Sequence, residues 1–168
     1  ACFGSISEII EDLKTHTEED VIQLIQKRCN GLQLLRKRLG DETLDFKPYG
    51  GYELFLKDDN SFSECTNKLS FINEILRPIF KADVFAKEVD RFGFGDINEY
   101  LIFNPFEAQI DTGNMMQALL KKAVEKDILI LNNQNVTSFL DHENSVEVAV
   151  GDFSFTTKKL LFATNGFA

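Results

Sequence analysis

Few side chains in the sequence have the type and spacing that catalysis or metal binding requires. The three cysteines, Cys2, Cys29 and Cys65, are widely separated and form no C-x-x-C pair, which argues against a disulfide framework or a zinc site and favours a reducing compartment. His16 and His142 lie in polar, turn-like sequence without a Cys, Asp or Glu at ligand spacing, so we interpret both as surface histidines. We therefore expect neither a metal centre nor a nucleophilic triad.

Composition sets the class of protein. The chain has 168 residues, of which 43% are hydrophobic and 27% charged, a mixture typical of a soluble globular protein without a transmembrane helix. Its formal charge is −9, which argues against nucleic acid and anionic membrane as partners, because such surfaces need a cationic footprint. The start, "ACFGSISE", has neither the basic n-region nor the apolar h-region of a secretory signal. A cytoplasmic location is therefore expected.

Two capping boxes predict the first helices. Ser5 with Glu8 and Thr17 with Asp20 have the required spacing, and an apolar stripe at helical period follows each pair. The first pair opens a short helix to about residue 14. The second opens a helix of about 22 residues that ends at Gly40, a residue suited to a left-handed cap.

The next segment is predicted to form two strands and a helix. "YELFLK", residues 52–57, alternates between apolar and polar side chains, and "EYLIFN", residues 99–104, is rich in residues that favour strands. A third capping box at Ser61 opens a helix that Pro78 should end or kink. Residues 82–95 are interpreted as a loop with short extended pieces.

The last third has sharper signals. Asp111 or Thr112 caps a helix whose Met115, Met116, Leu119, Leu120 and Ala123 should face a core. "ILIL", residues 128–131, is predicted to be a strand buried on both faces of a parallel sheet. Three alternating strands joined by turns follow, and then a last apolar strand; they are "NVTSFL", "SVEVAV", "FSFTT" and "KLLFATNG".

Together with this order of elements, several sequence motifs resemble those of a known enzyme family, and they occur in the same order along the whole chain. "EAQIDTGNMMQALLKKAVEKDILILNNQNVTSFL" is similar to the middle of the FAD-dependent oxidoreductases of the D-amino acid oxidase superfamily, and "TTKKLLFATNGF" resembles their ATG-type motif. "PYGGYELFLKDD" resembles a strand of their substrate domain, and "ACFGS" resembles the residues that follow their Ser-Gly-Arg-Asn loop.

The resemblance implies an α+β chain of two regions. Residues 1–110 would be a substrate-binding or cap region with an antiparallel sheet and helices. Residues 111–168 would be an incomplete FAD-binding α/β portion with a β-meander. The parent enzyme would oxidise an amine or amino acid by hydride transfer to flavin, with FAD as its cofactor.

Departures from the family pattern suggest that the chain is an interior fragment. Thr112 stands where the family often has Pro, and Asp127 where it usually has Gly. The G-x-G-x-x-G turn that cradles a dinucleotide is absent, and "GFG" at 93–95 lacks the third glycine. With no initiator methionine either, we expect N- and C-terminal segments of the parent to be missing, and the fragment to lack tight FAD binding and turnover.

The resemblance also implies positions for the cofactor. Val136 would lie beside the adenine and offer backbone N–H and C=O groups. Ala163, Thr164 and Gly166 would pass close to the phosphates and ribose, a role that suits small residues. The residues alone favour another interpretation, in which Val136 is a core strand residue and Gly166 is part of an ordinary turn.

Three aromatic residues are candidate substrate contacts. Tyr49, Tyr52 and Phe103 fall in the region that would cover the flavin, where aromatic side chains form an apolar wall. The chain has 16 Phe and 3 Tyr, so an ordinary core position is the competing interpretation for each.

Two other interpretations stay open. The chain is alternatively a stand-alone α+β interaction module without catalysis, whose meander offers an edge to partner strands. An excised fragment would also be prone to dimerise through strands left bare by missing segments.

Overall fold

The computed structural model describes residues 3–164, which fall into two compact units, one ending at Ala123 and the other beginning at Val124. Helices and two small antiparallel sheets make up the chain, which confirms the α+β class. Within residues 3–164, no helix is both long and apolar enough to cross a membrane. The division of function predicted at residue 110 stays a prediction.

The first helices follow their sequence signals. They are α1 (Ile6–Thr15), α2 (Glu18–Leu39) and the short α3 (Asp41–Leu44). Both predicted capping boxes are formed. The Ser5 hydroxyl accepts the Glu8 N–H at 3.3 Å, and the Glu8 carboxylate accepts the Ser5 N–H at 2.9 Å. Gly40 ends α2 with φ 86°, as predicted.

The helix α4 (Ser61–Phe80) begins and ends differently from its prediction. The cap is Asn60, and Ser61 is the first helical residue. The Asp59 carboxylate accepts the Ser61 N–H at 2.8 Å. Pro78 lies inside the last turn, and the helix continues to Phe80 before Lys81 takes the left-handed conformation at φ 60°. Pro78 removes one backbone donor there without ending the helix at its own position.

The first sheet has the antiparallel order β1-β3-β2, with β1 at Gly51–Glu53, β2 at Ala86–Val89 and β3 at Tyr100–Asn104. β1 is shorter than the predicted strand 52–57, and the chain beyond it pairs again only at an isolated bridge between Leu56 and Ile97. β2 is one of the short extended pieces predicted within residues 82–95.

The sheet has two chemically different faces. Glu53 lies opposite Ile102 in the register, and Tyr52 lies opposite Phe103, so the two pairs project to opposite sides. Ile102 is 1% exposed and belongs to the core that α1, α2 and α4 form. We call this side the helix face and the side of Tyr52 and Phe103 the aromatic face.

A buried asparagine joins α4 to the segment that leads into β2. The Asn73 side-chain oxygen accepts N–H groups from Val84 and Phe85, both at 2.9 Å, and its amide donates to the Phe85 carbonyl at 2.8 Å. Asn73 is 5% exposed. Its three hydrogen bonds satisfy backbone groups that burial would otherwise leave unpaired.

The helix α5 (Thr112–Val124) is capped as predicted but does not face a core. The Asp111 carboxylate accepts the Asn114 N–H at 2.9 Å. Met116 is 60% exposed, Leu119 38% and Leu120 54%, and no residue of α5 is buried. The predicted core stripe is therefore wrong for the described part of the chain.

The second unit contains the predicted meander, β4 (Val136–His142), β5 (Ser145–Val150) and β6 (Phe153–Thr157), paired in that order. The predicted strands at 128–131 and 160–163 do not form. Leu129 is 80% exposed and Leu161 87%. A strand buried on both faces needs neighbouring strands, and none pairs with either segment among residues 3–164.

Candidate functional site

Two of the predicted substrate contacts lie together on the aromatic face. The ring centroids of Tyr52 and Phe103 are 4.7 Å apart, and Phe92 meets Tyr52 edge to face at 5.0 Å. We call Tyr52, Phe92 and Phe103 the aromatic wall. Tyr49 is 68% exposed and makes no ring contact with the residues that the structure describes, so it does not join the wall.

Paired glycines allow this packing. Gly50 has φ 76°, and a Cβ there would lie 2.6 Å from Cζ of Phe103 and 3.0 Å from the Asn104 carbonyl oxygen. A Cβ on Gly51 would lie 2.9 Å from Cβ and Cγ of Glu107. The "GG" of "PYGGYE" therefore lets the Phe103 ring and the Glu107 side chain lie directly on the backbone that enters β1.

A cation lies against the aromatic wall. The Arg91 guanidinium donates a hydrogen bond to the Tyr52 hydroxyl, and it lies 5.4 Å from the Tyr52 centroid and 5.6 Å from that of Phe92. No described carboxylate forms an ion pair with it. An exposed guanidinium over aromatic rings offers planar, paired donors to a carboxylate.

The loop that carries Arg91 is held by its neighbour Asp90. The Asp90 carboxylate accepts N–H groups from Phe92 at 2.9 Å and Gly93 at 3.2 Å. The Asp90 N–H donates to the Glu99 carbonyl at 2.7 Å. Arg91 was not predicted as a site residue, because residues 82–95 were interpreted as a loop with short extended pieces and no chemistry was assigned to them. The available signal was "DRFGFG", where one arginine directly precedes two phenylalanines that alternate with glycines.

A cavity of about 250 Å³ opens on the helix face, between the turn before α1 and strand β1. Its polar lining includes Ser5, Glu53, Asn104 and Glu107, and Phe85 and Ile102 supply apolar lining. The Glu53 carboxylate accepts a hydrogen bond from the Ser7 hydroxyl. Sequence analysis did not find this cavity, because residues from four separate segments meet there.

The predicted cofactor contacts lie in the second unit. Val136 begins β4, is 52% exposed and lies at a register shift relative to β5. Ala163 and Thr164 are exposed and belong to no helix or strand. Gly166 lies outside the described residues. The predicted roles of these four residues stay predictions.

The residues of this chain do not by themselves fit FAD. A dinucleotide pyrophosphate needs a glycine-rich turn at a helix N-terminus, and the sequence has no G-x-G-x-x-G. Val136, Ala163 and Thr164 offer backbone groups but no phosphate cradle.

Of the other side chains with catalytic potential, Cys65 is buried and the two histidines are exposed. Burial raises the pKa of the Cys65 thiol to about 12, which keeps it protonated and unreactive. His16 and His142 are exposed, as predicted. In the described part of the chain, no three His, Cys, Asp or Glu side chains are grouped to hold a metal ion.

Comparison with known proteins identifies no relative. No protein-family model matches the sequence, and no curated protein and no solved structure is significantly similar to it. The resemblance to FAD-dependent oxidoreductases therefore remains a prediction from the sequence motifs.

Proposed function

We propose that the chain is the substrate-binding region and part of the FAD-binding portion of an FAD-dependent oxidoreductase of the D-amino acid oxidase superfamily. Its substrate is an amine or amino acid. The observation that carries the proposal is the aromatic wall with Arg91 beside it. Those residues lie on the sheet face opposite Ile102 and the helix core.

The chemistry of the wall suits such a substrate. Oxidation of an amine by flavin requires a site from which water is excluded, and aromatic rings provide a rigid apolar wall. Arg91 favours an amino acid over a simple amine as the substrate, because a guanidinium binds a carboxylate through two parallel hydrogen bonds. These residues bind and orient the substrate, and the flavin supplies the redox chemistry.

The second unit supports the proposal that the parent chain is longer. Residues 128–131 are 41–80% exposed, and Phe139, Phe153 and Phe155, on one side of the meander, are 45–51% exposed. Exposed apolar side chains in this number are typical of an interface. We propose that N- and C-terminal segments of the parent cover it and complete the FAD site, so the chain alone is inactive. We also place the parent in the cytoplasm, which the free thiol of Cys65 supports.

Kinetics of the longer gene product test the role of the wall. Arg91→Gln is expected to raise KM for an amino-acid substrate about tenfold or more, because a charge-assisted contact is lost. KM for the matching decarboxylated amine should change little. Arg77→Gln is the control, since Arg77 pairs with Asp83 at the end of α4. Equal KM values for Arg91→Gln and the control would contradict the proposed site.

A stand-alone interaction module is the second candidate function. The exposed apolar side of the meander and its two edge strands, β4 and β6, favour it. A longer gene product that binds no flavin, together with a partner protein that protects β4 amides from hydrogen exchange, would support the module instead.

A further inference from the structure

The cavity opens on the helix face, and Tyr52 is the one member of the aromatic wall among its described lining residues. Glu53 and Ile102 project to the helix face, whereas the Tyr52 and Phe103 rings project to the opposite side. Ligand binding in the cavity depends on Glu53, Asn104 and Glu107, none of which takes part in the proposed oxidoreductase site. The cavity volume of about 250 Å³ lies just below the range of about 300–1,000 Å³ for drug-sized ligands, which suits a small molecule.

Asn104 offers an unused donor to this cavity. The residue is 4% exposed, and its side-chain oxygen accepts the Phe106 N–H at 2.9 Å. Its side-chain NH₂ has no hydrogen-bond partner among the described residues. Every fully enclosed polar side-chain atom there does have a partner, so the NH₂ group reaches open volume, and the cavity that Asn104 lines provides it. A ligand with a hydrogen-bond acceptor would satisfy this donor.

Two carboxylates give the cavity a negative lining. Glu53 and Glu107 both contribute to it, and no lysine or arginine is among the lining residues described. The Ser7 hydroxyl and N–H approach Glu53 from α1, yet a carboxylate has about four acceptor positions. The Cβ and Cγ atoms of Glu107 pack over Gly51, so the second side chain lies beside β1. This arrangement suits a cation that donates several hydrogen bonds.

We propose that the cavity binds a small primary ammonium compound that also carries a neutral hydrogen-bond acceptor, as in an amino-acid amide. The ammonium group lies between the Glu53 and Glu107 carboxylates, and the acceptor takes the free N–H of Asn104. Phe85, which is 3% exposed, and Ile102, which is 1% exposed, supply the apolar contact. A free carboxylate on the ligand is disfavoured by the two glutamates.

NMR titration of the ¹⁵N-labelled chain with glycinamide tests the proposal. We expect saturable shifts of the Asn104 side-chain NH₂ and the Gly51 backbone N–H. Acetamide lacks the ammonium group and methylammonium lacks the acceptor, so each should bind about fivefold or more weakly. The absence of saturable shifts with glycinamide, or equal binding of all three compounds, would overturn the proposal.

Variants separate the two halves of the site. Glu107→Gln and Glu53→Gln should each weaken glycinamide binding about tenfold, because each removes one charge at nearly constant shape. Asn104→Asp keeps the acceptor for the Phe106 N–H but removes the donor, so the preference for glycinamide over methylammonium should disappear. Glu99→Gln is the control, since Glu99 is exposed and outside the cavity. If Glu53→Gln unfolds the chain, Glu107→Gln carries the test, and unchanged affinity in it would refute the site.

Discussion

The ring of Phe103 occupies the position that a side chain on Gly50 would need. A Cβ on Gly50 would lie 2.6 Å from Cζ of that ring, and the backbone there has φ 76°. The turn before β1 and the aromatic wall are therefore one packed unit, and the glycine is required by both sterics and backbone conformation.

Gly50→Ala should lower the free energy of unfolding by roughly 2–4 kcal/mol, because it combines a steric overlap with a strained backbone. Urea unfolding of the chain measures the change. Gly31→Ala is the matched control, since Gly31 lies inside α2 with open space around its Cα, and it should stabilise the chain by about 0.5–1 kcal/mol. Equal effects of the two substitutions would contradict the packing described.

Asn73→Ala should destabilise the chain by roughly 2–4 kcal/mol, because two N–H groups and one carbonyl lose their buried partners. Asn67→Ala serves as the control, since Asn67 is exposed on the same helix, and its effect should stay within about 0.5 kcal/mol. If thermal unfolding shows the same midpoint for both variants, Asn73 does not brace the segment before β2.

Cys65 should make stability fall as pH rises above 9. Its pKa is raised from 9.0 to about 12 in the folded chain, so above pH 9 the unfolded state releases a proton that the folded state keeps. Urea unfolding between pH 8 and pH 10.5 measures the slope. Cys65→Ala should reduce that slope, and an identical slope in both proteins would refute the assignment.

Leu129→Ser should change the stability of this chain by no more than about 0.5 kcal/mol, because the side chain is 80% exposed. In the longer gene product the same substitution should cost about 2–4 kcal/mol, because the proposed missing segments would bury residues 128–131 as a strand. Denaturant unfolding of both chains measures the two changes in unfolding free energy. A small change in the longer protein would contradict the proposed burial of residues 128–131.

Features that depend on neighbouring residues could be predicted from the sequence. Ser5 with Glu8 and Asp111 with the following turn form local caps, and the turns between β4, β5 and β6 contain their own Asn, Asp and Gly. Short-range hydrogen bonds and alternation are sufficient for these elements.

Features that depend on distant partners could not be predicted in this way. The segment 128–131 has the composition of a central strand, but pairing requires neighbours that its own residues do not reveal. Arg91 meets Tyr52 across the fold, and the cavity combines the start of α1 with β1 and the end of β3. Spacing along the chain contains no signal for such contacts.

The most direct test of the central claim is the visible absorption spectrum of the longer gene product, beside that of this 168-residue chain, each with and without added FAD. The account predicts flavin bands only in the longer protein, and their bleaching when an amine or amino-acid substrate is added without oxygen. No flavin in either protein would contradict the family, and stoichiometric FAD with substrate-dependent bleaching in the short chain would contradict its role as an inactive part.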